Sequence, residues 1–228
     1  MNEQERLSAV DLSPSRVRAL QRKLLRWYSE NRRDLPWRKV KDPYAVWISE
    51  VMLQQTQVQT VIPYYLRFLL HYRDIGALAN AETEQLLRLW EGLGYYSRAR
   101  NLHKAARVVV ERFGGEFPKS YEDVLALPGI GRYTAAAILS IAFDQPYAVV
   151  DGNVARVLAR VLRIEGDVRH RQVQQSLWAA AQRLLPSRNP GDFNQATMEL
   201  GATVCSPRQP SCSLCPWQAD CLARREGL

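Results

Sequence analysis

Three groups of residues have types and spacings that can do chemistry. All four cysteines fall in the last 24 residues, spaced Cys205-x6-Cys212-x2-Cys215-x5-Cys221. With no secretory signal ahead of them, such a set reads as a metal site before it reads as disulfides, because two bridges here would staple only the tail. Four tetrahedral thiolates suit either zinc or an iron–sulfur cluster, and the spacing leaves both open. The second group is a pair of carboxylates. Glu50 lies in Tyr44–Gln55, where positions 46, 47, 53 and 54 share its helical face and three of those four are apolar. A carboxyl on such a face should have a raised pKa and serve as a general acid near neutrality; the plain alternative is a buried Glu paired with an Arg. Asp151, in Val149–Arg156, sits where a helix should begin. It can be an ordinary N-cap, or it can use that geometry to remain ionised and stabilise or attack a developing cation. Two carboxyl groups whose surroundings push their pKa values apart fit acid-assisted cleavage of a glycosidic bond through an oxocarbenium-like transition state.

The third group is Leu127-Pro128-Gly129-Ile130-Gly131-Arg132-Tyr133-Thr134. It is a glycine hairpin between two short helices and resembles the helix–hairpin–helix motif. Its glycines let backbone N–H groups approach a phosphate, the helix starting at Arg132 adds positive potential, and Arg132 offers a charge-assisted contact. A grip of this kind positions DNA without reading its sequence. A plain helix–turn–helix connection is the bland alternative.

The whole chain agrees with a soluble polyanion binder. It has 228 residues, 31 Lys and Arg against 23 Asp and Glu, and a net charge of +8. That length holds one large domain or two small ones. The composition, 46% apolar and 24% charged, excludes disorder. The longest near-apolar stretch, Ala135 to Phe143, is too short to span a bilayer, and Met1 to Arg6 lacks a signal peptide's apolar core. A cytoplasmic location is expected, nucleoid-associated if the source is bacterial or archaeal.

The elements that must carry these groups read as helices throughout, so the expected fold class is all-α. Ser13-Pro14 opens one helix as cap and first-turn proline, with Leu20, Leu24 and Trp27 at helical spacing. Others are expected over 44–58, 60–72, 82–91, 97–113, 121–127, 132–143, 152–161, 169–185 and 193–203. Breakers separate them at Asp42-Pro43, Gly92 and Gly94, Gly114-Gly115, Pro128 to Gly131, Pro146, and Asn189-Pro190-Gly191. His71, His103 and His170 fit no ligand spacing and read as surface or phosphate-side residues. Arg98, Arg100, His103, Lys104 and Arg107 share one helix and either face a DNA backbone or form a solvated face.

Hairpin, Asp151 and cysteine tail together resemble the endonuclease III superfamily of DNA glycosylases. Within it, Leu35-Pro36-Trp37-Arg38, Trp47 to Val58 and Gly92 to Leu102 are similar to the adenine DNA glycosylases of the MutY type, over roughly residues 20 to 225. The resemblance implies a two-lobed fold: a six-helix lobe with the hairpin over 36–143, and a discontinuous cluster lobe over 1–35 and 144–228. It implies a [4Fe–4S] cluster on Cys205, Cys212, Cys215 and Cys221, organising the loop so that Arg208 and its neighbours meet phosphate. It implies that Glu50 protonates adenine N7 and then activates water, that Asp151 stabilises or traps the oxocarbenium ion, and that Tyr133 and Asn153 support them by hydrogen bonding. Arg33, Leu35, Trp37 and Arg38 would line the base pocket, with Gln195 on the adenine edge. Gln54 and Tyr95 would enter the duplex beside the opposite base, and Gly129, Ile130, Gly131 and Arg132 would hold its backbone. Superfamily members that also cut the strand carry a catalytic Lys where this chain has Tyr133, which has no amine for a Schiff base. A monofunctional glycosylase is therefore expected, acting as a monomer on double-stranded DNA with adenine mispaired with 8-oxoguanine or guanine. The chain stops at Leu228, so the resemblance is to the catalytic core alone, without the C-terminal domain that reads 8-oxoguanine. Thymine or uracil mismatch glycosylases share a similar Tyr and Asp and form the alternative; a non-catalytic DNA-binding protein or a redox sensor built on the cluster are the readings from other classes.

Overall fold

The computed structural model describes residues 12–228. The reading of Met1 to Arg6 lies outside those residues. Every regular element among the described residues is helical. In chain order they are α1 (Pro14–Asn31), α2 (Pro43–Leu53), α3 (Val58–His71), α4 (Ile75–Ala79), α5 (Thr83–Trp90), α6 (Ser97–Phe113), α7 (Tyr121–Leu125), α8 (Arg132–Phe143), α9 (Gly152–Leu162), α10 (Arg171–Leu184), α11 (Pro190–Thr203) and α12 (Leu222–Arg225). Short 3-10 turns span Pro36–Arg38 and Cys212–Leu214. No helix among the described residues is long and apolar enough to cross a membrane.

The chain divides into two compact units. One is Asp34–Phe143; the other joins the residues up to Arg33 with Asp144–Leu228. In the first unit α2 packs on α8 and α3, and α6 packs on α4 and α5. Its core is built on large rings: Phe68 meets Trp90 edge-on at 6.1 Å, and Trp47 meets Phe117 at 5.6 Å. In the second unit α9 and α11 pack together, and α1 closes over α11 and α10. Leu20 and Leu24 are fully buried there, with Tyr28 beside them. Trp27 is only half-buried, so the inward stripe of α1 runs through Tyr28 and not Trp27. Pro14 takes the first helical turn as expected, but the Ser13 hydroxyl meets Ser15 Oγ and gives the helix no side-chain cap.

The break expected between the helices 44–58 and 60–72 falls several residues earlier. α2 stops at Leu53, and Gln55 adopts a left-handed φ of 56° before α3 begins at Val58. No glycine or proline marks that break. Its cause is distant in sequence: the Arg98 guanidinium donates to the carbonyls of Val51, Met52 and Gln54 at 2.7–2.9 Å. Those bonds replace the N–H groups that further helix would have supplied. The five-residue α4 and the terminal α12 carry too few turns to show a period, and the sequence reading omits both.

Candidate active site and cysteine loop

Glu50 projects from a helix that is buried on every side. Asp42 accepts from the N–H groups of Tyr44 and Ala45, Pro43 occupies the first turn, and Tyr44 through Met52 are all buried. A helix apolar all round has no solvated face, so its one acid is enclosed too; Glu50 is 7% exposed. At the end of the same helix Gln54 Nε2 donates to Thr134 Oγ1 at 3.5 Å.

The hairpin is built as its glycines demand. Ser120 Oγ accepts from Asp123 N at the start of α7, and Ile130 N donates to Leu127 O at 3.1 Å to close the turn. That bond engages the Ile130 N–H, and the Ile130 side chain is buried, so Ile130 anchors the turn. Gly129 has a φ of 79°, and a Cβ there would stand 2.6 Å from Asn101 Cβ. A cavity of about 30 Å³ beneath the turn is lined by Gln54, Arg98, Asn101, Pro128 and Gly129 among others. The fold therefore brings the hairpin beside the Gln54 turn. Tyr133 is half-buried, and Gly131 and Arg132 are exposed. Tyr95, 63% exposed and with a φ of 47°, lies under the Arg98 guanidinium at 5.6 Å.

Two expectations for α6 fail. Arg98 and His103 are buried, 8% and 5% exposed, and Arg107 is turned onto the Ala79 carbonyl. Arg100, Lys104 and Arg107 of the basic set are exposed. His103 Nε2 also meets Ala79 O at 3.3 Å, and burial, with Arg107 nearby, holds its pKa below the ordinary histidine value. The signal was present: Ala99, Leu102, Ala106 and Val109 mark the inward face of α6, and position 103 falls on it.

In the other unit Asp151 caps α9. Its Oδ1 accepts from Val154 N at 2.7 Å and its Oδ2 from Asn153 Nδ2 at 2.9 Å. Capping thus fixes both carboxylate oxygens at the start of the helix. Asn153 is itself held: its Oδ1 accepts from Arg156 Nη2 at 2.9 Å, and Arg156 donates to the carbonyls of Cys205 and Gly201 at 2.8 Å. A continuous chain of polar contacts links Asp151 to the first cysteine. Nothing in the sequence singled out Arg156 for this part.

The expected pocket residues divide. Arg33 makes a bidentate pair with Glu199, whose side chain is fully buried: Nε to Oε1 and Nη2 to Oε2, both 2.7 Å, with the Arg33 N–H adding a third bond. The Glu199 hydrogen bond holds the Arg33 pKa above its ordinary value. Gln195 is half-buried on α11. Leu35 and Trp37 are buried within the first unit, Trp37 edge-on to Tyr65 at 5.4 Å, and Arg38 is half-buried. Glu50, Tyr133, Gln54, Tyr95 and the hairpin belong to the first unit; Asp151, Asn153, Arg33, Gln195 and the cysteines belong to the second.

The four cysteines line one cavity of about 390 Å³, walled by Val157, Val161, Leu200 and Val204. Trp217, fully buried, anchors this loop by donating to Leu20 O at 2.9 Å. Arg160 Nη1 lies 3.3 Å from Cys205 Sγ and also donates to Ser206 O. Burial pushes the Cys215 thiol up to about 11, with the other three sulfurs adding to the rise, and burial raises Cys221 in the same direction. A bound cation reverses this by taking the sulfur as thiolate. Among the described residues no three His, Cys, Asp or Glu side chains form the ligand set of one metal ion. Four soft donors lining one cavity have the chemistry to hold either zinc or an iron–sulfur cluster as thiolates.

Residues 48–183 match the family described as the HhH-GPD superfamily base excision DNA repair protein. The adenine DNA glycosylase of Rattus norvegicus is 54% identical over 218 residues, 92% of this chain and 42% of that protein. The chain thus spans about two fifths of the length of that relative. A solved thermostable thymine-DNA glycosylase superposes with a TM-score of 0.84 at 30% identity, covering 95% of this chain and 100% of that one. A non-covalent endonuclease III–DNA complex superposes at 0.77 with 22% identity, over 95% of this chain and 98% of its protein chain, which speaks for the fold alone.

Proposed function

We propose, for a chain that belongs to the HhH-GPD superfamily of base excision DNA repair proteins, that it is a monofunctional DNA glycosylase removing adenine mispaired with 8-oxoguanine or guanine. The observation that carries this reading is Glu50, an acid 7% exposed on a helix buried from Tyr44 to Met52. Such a group is suited to deliver a proton to adenine N7 in a water-poor setting and then to take one from the attacking water. The Asp151 carboxylate, fixed by Val154 N and Asn153, opposes the positive charge that develops on the sugar. Tyr133 supplies a hydroxyl and no amine, so the product is an abasic site and the strand stays intact. Asn153 and Tyr133 orient the reacting groups by hydrogen bonding, and Gln195 holds the adenine edge, with Leu35, Trp37, Arg38 and Arg33 around the base.

The partner is double-stranded DNA, gripped by the Gly129–Arg132 hairpin and opened by Gln54 and Tyr95 as the base leaves the stack. The protein works as a monomer. Cys205, Cys212, Cys215 and Cys221 hold a [4Fe–4S] cluster, which when bound supplies a rigid core for the loop that carries Arg208. Adenine is preferred over thymine because identity to the adenine enzyme is 54% against 30% to the thymine enzyme. The thymine reading keeps one observation of its own, the full coverage of that shorter chain.

Single-turnover base release on duplexes pairing A with 8-oxoguanine, G or C, and T or U with G, tests the assignment. Adenine release is expected, with Glu50→Gln and Asp151→Asn abolishing it while leaving duplex binding nearly intact. Release of T from T·G with A untouched overturns the substrate. Normal rates in both variants overturn the mechanism.

A further inference from the structure

Arg98 belongs to the first unit and concentrates an unusual number of hydrogen bonds on one guanidinium. Its guanidinium donates to Val51 O, Met52 O and Gln54 O on one side, and to Leu93 O and Gly94 O on the other, all at 2.7–3.2 Å. A sixth contact reaches Thr56 Oγ1 at 3.3 Å. One cation thus ties the end of the Glu50 helix to the loop that follows α5. Each of those segments contains a non-glycine residue in the left-handed region, Gln55 at φ 56° and Tyr95 at φ 47°. Such conformations persist only where the surroundings over-determine them. The surroundings here are largely this one side chain: the Tyr95 ring also stacks against it at 5.6 Å, and the Trp90 ring at 5.4 Å. Burial pulls the Arg98 pKa below its ordinary value, and its Nε has no hydrogen-bond partner among the described residues. A buried charge with an orphan donor is an expensive way to join two loops, which points to a use for the geometry it enforces.

We propose that Arg98 is a positioning residue that sets the two DNA-entering turns, Gln54–Gln55 and Gly94–Tyr95, as one preformed wedge. The proposal rests on the reading that Gln54 and Tyr95 enter the duplex. It assigns Arg98 no contact with DNA. The planar fork of Arg reaches both loops at once, whereas Lys keeps the charge and cannot span them.

Arg98→Lys is the test, read in two ways. Hydrogen exchange of the free protein is expected to speed at least tenfold at both 51–57 and 92–97 while 134–141 in α8 stays protected. With a duplex carrying 2-aminopurine beside the target adenine opposite 8-oxoguanine, the fluorescence rise per bound duplex is expected to fall severalfold. Base release per active enzyme, from active-site titration, should slow at least tenfold while affinity for undamaged duplex changes less than twofold. A merely structural role lowers melting temperature and active fraction but leaves both per-molecule readouts at the wild-type value, and that result overturns the proposal. So does a variant with both turns still protected. Should Arg98→Lys not fold, Thr56→Val removes one acceptor of the clamp and is expected to move the same readouts two- to fourfold; no movement counts against the proposal. Gln54→Ala and Tyr95→Ala separate the underlying reading: an undiminished fluorescence rise in both sinks duplex entry, and loosened turns in Arg98→Lys then stand as evidence for the clamp alone.

Discussion

Gly201 offers a sharp perturbation of the role proposed for Asp151. It lies on α11 against α9, and a Cβ added there would stand 2.6 Å from Asn153 Cβ, 2.9 Å from its carbonyl oxygen and 3.0 Å from its carbonyl carbon. Carbon atoms settle at roughly 3.5–4.0 Å, so Gly201→Ala asks for a separation of about 1 Å between the two helices. The obstacle is mostly Asn153 backbone, which no rotamer change relieves. Overpacking of this kind costs about 1–3 kcal/mol, offset by the roughly 0.5–1 kcal/mol that Ala gains over Gly in a helix. A net loss of up to about 2 kcal/mol lowers the melting temperature by roughly 4–8 °C at most for a chain of this size. The functional effect should be larger. Asn153 Nδ2 holds Asp151 Oδ2 at 2.9 Å, and a 1 Å misplacement at reacting groups costs on the order of tenfold to a hundredfold in rate. Single-turnover adenine release at saturating enzyme, alongside a melting curve, measures both. Duplex affinity should change less than about twofold, because the hairpin belongs to the other unit. Release at the wild-type rate from a stable Gly201→Ala protein would refute the claim that Asn153 must be held where it is.

Three further outcomes are expected. Gly129→Ala forces both a strained φ of 79° and a 2.6 Å approach to Asn101 Cβ, so duplex affinity should fall about tenfold across all sequences; sequence-dependent loss would refute a backbone grip. Arg33→Ala takes the guanidinium from the fully buried Glu199 carboxylate and keeps the backbone N–H bond, costing about 3 kcal/mol and lowering the melting temperature by roughly 6–12 °C; a drop under about 2 °C would show the pair to be dispensable. For His103, burial depresses the folded-state pKa below the ordinary 6.5. The unfolded chain then binds the proton more readily, so its stability contribution is complete above about pH 6.5 and is lost as pH falls below it. Denaturant unfolding at about pH 7.5 and 5.5 should show a flatter pH dependence in His103→Gln, and identical slopes would count against that sign.

The all-helical fold was legible in the sequence because its helices carry local punctuation. Gly114 at a left-handed φ of 63° closes α6 where the glycine pair predicted, and α8 matches its expected span. The position of the break at Gln54–Gln55 was not legible, because its cause is a guanidinium more than forty residues away. The same holds for the site. Glu50, Asp151 and the hairpin stand out by type and neighbours, and Asp151 is the cap its position suggested. Arg98, Arg156, Arg160 and Glu199 gave no local sign, since what distinguishes them is the partner that tertiary packing delivers. A lone Arg on a basic helix reads as solvated until the carbonyls it caps are known.

The anchoring of the cysteine loop on α1 has a consequence for how the chain is made. Trp217 reaches Leu20 O across 197 residues, and Lys23 and Arg16 both grip Asp220. On a ribosome, α1 emerges well before α10, α11 and the cysteine loop that cover it. The Asp34–Phe143 unit can finish folding in between. Until α10, α11 and the cysteine loop follow, Leu20, Leu24 and Tyr28 present an apolar stripe without the helices that cover it, so the nascent α1 needs shelter through the synthesis of the intervening unit.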